Sequence, residues 1–147
     1  VTTKSYELKD AEEWFSKAEV FLSCAKTLLN EKRYEIAYNF SMYVGEFVLK
    51  AILVKHNKFI TREDYTHNQK ELFKKIEREI LQIPQETLQE LGRIIDELEL
   101  VETSTGVVCQ QAQVGNMRYM NISINEDETK HKIELAEKLL RLVKPLI

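Results

Sequence analysis

Glycine and proline are scarce in this chain of 147 residues, at four and two copies. That scarcity argues against a sandwich or barrel, which spends both residues on many tight turns. The two cysteines, Cys24 and Cys109, match no metal or redox spacing. Cys24 falls among apolar residues at helical spacing and is expected to be a buried thiol. No run of about 18 apolar residues occurs, which excludes a spanning helix and with it a membrane partner. No charged start leads into a short apolar segment, so the expectation is a cytoplasmic protein. A net charge of -3 provides no global basic field for nucleic acid. The three histidines, His56, His67 and His131, share no ligand spacing, so no metal and no cofactor is expected.

What the chain has is helical period. With 44% apolar and 31% charged residues it reads as one globular domain over 1–147, large enough for a core without staples. Trp14, Ala18, Phe21, Leu22, Ala25, Leu28 and Leu29 predict a first helix over 10–30. The second, over 34–57, is apolar nearly all round and must be covered on most sides, within a bundle and at a subunit interface. Gly45 in its interior costs about 1 kcal/mol relative to alanine, so a close helix approach is expected there. A third helix starts near Asn68, with Glu71 as the acid of its cap. Pro84 stands where a first-turn proline opens a fourth helix, which Leu88, Leu91, Ile95 and Leu98 continue. Residues 101–117 lose the period and read as a loop. A last helix over 127–144 points Ile133, Ala136, Leu139, Leu140 and Val143 inward. The fold class is all-α, an up-down bundle of about five helices.

No phosphate-binding loop, dinucleotide fingerprint, HExxH or nucleophile elbow occurs. What remains is a constellation. Glu13-Trp14 precedes an amphipathic helix and Arg33-Tyr34-Glu35-Ile36-Ala37. Val44 to Leu53 carries a Glu-x-x-x-Lys-Ala run, Glu46 to Ala51. Thr66-His67 leads into the third helix, and Arg118-Tyr119 precedes the last. Taken in order over 11–145, these segments resemble the HEPN domain family.

The resemblance implies a five-helix bundle that pairs as a homodimer and works near nucleotides or RNA. Some members are ribonuclease toxins; others partner a small nucleotidyltransferase in toxin–antitoxin-like pairs. This chain lacks the Gly-Ser and Asp-x-Asp features of the nucleotidyltransferase itself and would be the helical partner. The ribonuclease members resemble an arginine followed shortly by a histidine, which supplies the proton carrier that an arginine cannot. Here no histidine follows Arg118 before His131, and Met120 stands where related members have proline. No catalytic residue is therefore assigned.

Glu46 and Lys50 lie one turn apart and can meet as a helix pair, or join a buried network. Arg118 either clamps a phosphate or carboxylate with its planar fork or pins its loop to a neighbouring acid. The candidate ligand-binding set is Glu46, Lys50, His67, Arg118 and Tyr119. A nucleotide or RNA is the expected ligand of a non-catalytic protein. The alternatives are a ribonuclease toxin with a degenerate motif and a structural dimerisation module. Tyr34, Tyr38 and Tyr43, at helical spacing, are expected in the core rather than stacked on bases.

Overall fold

The computed structural model describes residues 10–58, 68–103, 106–110 and 124–147. Five helices form the bundle: α1 Ala11–Asn30, α2 Tyr34–Lys55, α3 Gln69–Glu79, α4 Gln85–Glu99 and α5 Glu126–Val143. A 3-10 turn, Lys144–Leu146, follows α5. Each boundary has a local cause. Asp10 accepts the backbone N–H of Glu13, Asn68 accepts those of Lys70 and Glu71, and Asn125 exchanges a full capping box with Glu128. Pro84 lies one position outside α4, as its cap, because its extended ψ of 144° cannot belong to a helical turn. Lys32 turns the chain between α1 and α2 at φ 61°, and Asn57 does the same after α2 at φ 58°.

Helix α2 is the axis. It packs against α1, α5, α3 and α4, and almost everything from Ser41 to Leu53 is buried. The single chain thus covers most of a helix whose sequence offers no polar face. Gly45 is where the wrapping is tightest. A Cβ there would sit 2.8 Å from Gln69 Cδ, 2.9 Å from Leu98 Cδ2 and closer still to Gln69 Oε1. The close approach expected at Gly45 is therefore met inside the chain, between α2 and the α3–α4 pair. Gln69 is fully buried and donates from Nε2 to the Met42 carbonyl at 2.7 Å.

Other expectations change as well. The stretch read as a loop contains an antiparallel hairpin, β1 Leu100–Thr103 paired with β2 Gly106–Gln110, with an irregularity between Val101 and Glu102. Val101, Val107 and Val108 supply β-branched residues that outweigh the polar neighbours. The bundle with this short hairpin remains all-α in class. Cys24 is exposed, not buried. The buried stripe of α1 is Ala11, Trp14, Phe15, Ala18, Leu22 and Ala25. Cys24 lies off that stripe, beside Val20 and Phe21, and Val20 is itself exposed. In α5, Leu140 is half-buried while Leu135 joins the core.

Lys132 has a structural task that its charge conceals. It falls on the inward stripe of α5 with Thr129, Ala136, Leu139 and Val143, all buried. Its ammonium donates to the carbonyls of Glu97, Leu98 and Leu100 and lies 5.4 Å from the Tyr38 ring centroid. These are the orphan acceptors at the end of α4, which a cation satisfies best. The Tyr38 hydroxyl donates to the same Leu100 carbonyl at 3.4 Å.

Candidate functional site

Glu46 and Lys50 are brought together as their spacing predicts. Lys50 Nζ lies 2.8 Å from Glu46 Oε2, and Lys50 and Glu46 are only 3% and 2% exposed. A buried ion pair is electrostatically strong but gains little net stability, because both charges have left water. The Lys50 ammonium also lies 5.3 Å from the centroid of the Trp14 ring. A charge pair held this way in the middle of an apolar helix is a poor choice for stability alone.

The pair forms one end of an open groove of about 440 Å³ between α1 and α2. Trp14, Lys17 and Phe21 line it from α1, and Phe40, Tyr43, Phe47 and the pair line it from α2. Both sets follow helical spacing, so each forms a stripe along its helix. Phe21 is the hub of the rings: it stacks on Phe40 at 5.0 Å and meets Phe47 edge-on at 4.8 Å. It also meets Tyr43 edge-on at 6.2 Å. These separations are those of attractive ring pairs. Burial, with a smaller contribution from the Glu46 charge, raises the pKa of the Tyr43 hydroxyl and keeps it a neutral donor.

Lys17 crosses above this floor. Its ammonium stands 4.8 Å from the Phe47 centroid and 5.6 Å from that of Trp14. Such a site has the size and the apolar lining, with few polar groups, of a small-ligand pocket. Among the described residues no group of three or more His, Cys, Asp or Glu side chains is placed to hold a metal. Among them, too, no helix is long and apolar enough to cross a membrane.

Of the five residues singled out in the sequence, the structure thus unites Glu46 and Lys50. His67, Arg118 and Tyr119 lie outside the described residues. Tyr34, Tyr38 and Tyr43 were expected in the core. Tyr38 is there, buried to 1%, but Tyr43 is half-buried in the groove wall. Tyr34 is also half-buried and donates to Glu126 at 3.2 Å. The signal that could have located the groove was Lys17, a cation on the aromatic stripe of α1. His56 caps α2, and burial together with Lys55 and Lys58 lowers its pKa. His131 is exposed and lies 3.8 Å from Glu97.

No curated protein matches this chain significantly. Among solved structures, the crystal structure of TT1696 from Thermus thermophilus is similar, with a TM-score of 0.62 and 16% identity. The match covers 95% of this chain and 100% of that one, and at that identity it speaks for the fold alone. The model of the HEPN domain matches residues 11–146, nearly the whole bundle from the start of α1 to the turn after α5. The chain belongs to the HEPN domain family.

Proposed function

We propose that this protein is a non-catalytic binding subunit that takes a nucleotide or related small substrate in the α1–α2 groove. The observation that carries the reading is the buried Glu46–Lys50 pair at the edge of an open aromatic groove. An ion pair placed there gains little for the fold, yet it provides fixed charge beside a surface on which a planar ligand can stack. Arg118, Tyr119 and His67 are the remaining candidates for contact with the ligand, with Arg118 as the fork for its anionic group. The chain acts as a cytoplasmic homodimer and as the partner of a separate minimal nucleotidyltransferase, a toxin–antitoxin-like pair. The exposed apolar side chains Val20 and Ile36, neither of which lines the groove, support the pairing. Lack of a histidine between Arg118 and His131 supports binding over cleavage, since no group there exchanges protons near neutral pH.

Thermal unfolding against a panel of nucleotides and short RNAs tests this. A ligand at about 100 times its dissociation constant adds about 2.7 kcal/mol, a rise of roughly 5–10 °C for a domain of this size. The rise is expected to vanish in Arg118→Ala. Cleavage of any RNA in the panel, abolished by the same substitution, would replace this reading with the ribonuclease.

A further inference from the structure

Clusters of aromatic faces ordinarily attract cationic ligands, because the ring quadrupole is negative above its plane. This groove is different. Its own lysines already occupy ring faces, Lys17 over Trp14 and Phe47 and Lys50 over Trp14. The charge of Lys50 is matched by Glu46 at 2.8 Å. Lys17 is exposed, and among the described residues it meets two ring faces and no carboxylate. Among the described residues the groove therefore carries the positive charge of Lys17 above an aromatic floor, and lysine ammoniums already stand over the rings of Trp14 and Phe47.

The geometry points to a ligand of one chemical class: a planar ring compound bearing an acidic group, its ring against Phe21, Phe40 and Tyr43 and its anion on Lys17. This rests on the ligand-binding reading above and deepens it by assigning Lys17, in the groove itself, a contact to the ligand's anion besides the one proposed for Arg118. A phosphate on a nucleoside and a carboxylate on an aryl compound share that chemistry. Lys17 acts as a charge-assisted donor at the rim, so it discriminates by charge while the rings supply affinity for any planar group.

Trp14 lines the groove and is the one tryptophan in the sequence, so its emission reports on this site directly. The titrations use 3-phenylpropionate, 3-phenylpropanol and 3-phenylpropylamine, which differ in charge, together with adenosine monophosphate and adenosine. The anion is expected to bind about tenfold more tightly than the alcohol, and the amine more weakly than either. Lys17→Gln should bring the anion-to-alcohol ratio close to one, Lys17→Arg should retain it, and added salt should reduce it. Phe40→Leu should weaken all three phenyl probes alike. Tighter binding of adenosine monophosphate than of 3-phenylpropionate assigns the acid to a nucleotide, and the reverse order to an aryl carboxylate; both support the class.

An alcohol that binds as well as the anion, or a ratio that survives Lys17→Gln, overturns the anionic class and leaves ligand binding intact. Failure of every probe to move Trp14 emission, in protein whose circular dichroism is helical, overturns both. So does a groove sealed by a second copy, seen in sedimentation as a dimer that Phe21→Asp dissociates while shifting Trp14 emission to the red.

Discussion

Replacing Gly45 with alanine sets two effects of known sign against each other. In an exposed helix the change stabilises by about 1 kcal/mol, because alanine loses less backbone freedom. Here the added methyl would stand 2.8 Å from Gln69 Cδ and 2.9 Å from Leu98 Cδ2. Gln69 has little room to move, being fully buried and held by its hydrogen bond to the Met42 carbonyl. Overpacking of this kind costs about 1–3 kcal/mol. Loss of the Gln69 bond adds about 1 kcal/mol more. The balance is a net destabilisation of about 1–3 kcal/mol, and urea denaturation of Gly45→Ala should show it as a lower midpoint at unchanged slope. In a Gln69→Ala background the penalty should shrink, because the obstructing amide is gone. A Gly45→Ala protein more stable than the wild type would refute the contact and with it the packing of α3 and α4 on α2.

Other substitutions probe the buried charges. Lys50→Met or Glu46→Leu alone removes one half of a buried ion pair and should cost about 3–5 kcal/mol, whereas the double substitution should cost less than the sum of the two by denaturation. Lys132→Met takes the ammonium from the Glu97, Leu98 and Leu100 carbonyls, of which Leu100 keeps the Tyr38 hydroxyl. It should destabilise by about 1–3 kcal/mol and speed hydrogen exchange selectively at the C-terminal turn of α4. Glu99 is fully buried, and burial raises its pKa above 4.5 against smaller opposing effects from Lys70 and Gln69. The folded protein then holds this proton to higher pH than the unfolded chain does. Its contribution is fully present below about 4.5 and is lost as pH rises through the folded value. Stability of Glu99→Gln measured from pH 4 to 8 should gain on the wild type as pH rises; a constant difference would show that Glu99 does not titrate abnormally.

Much of the helical framework was legible because its ends are marked in the sequence. Asp10, Asn68 and Asn125 are capping residues followed by the acids and apolar periods that complete their turns, and the helices begin there. Meeting of Glu46 and Lys50 followed from their spacing, and their burial from the apolar helix around them. The groove was not legible, because a stripe of Phe40, Tyr43 and Phe47 has the same period whether it faces the core or lines a wall. Cys24 was misplaced for a related reason: an apolar helix with two flanking stripes does not state which one turns inward. Lys132 and Glu99 escaped notice because composition treats a charge as solvent-facing. Both lie at the inward spacing of their helices, and only tertiary contact gives that position meaning. The short hairpin depends on pairing between β1 and β2, which no single-segment period displays.

The central claim, a ligand site in the α1–α2 groove, is tested most directly by hydrogen exchange with and without the nucleotide that raises the unfolding midpoint most. The account predicts added protection in α1 around Trp14 to Phe21 and in α2 around Phe40 to Lys50, with α4 unchanged. Protection confined to α3, α4 or α5, with α1 and the middle of α2 unaffected, would contradict it.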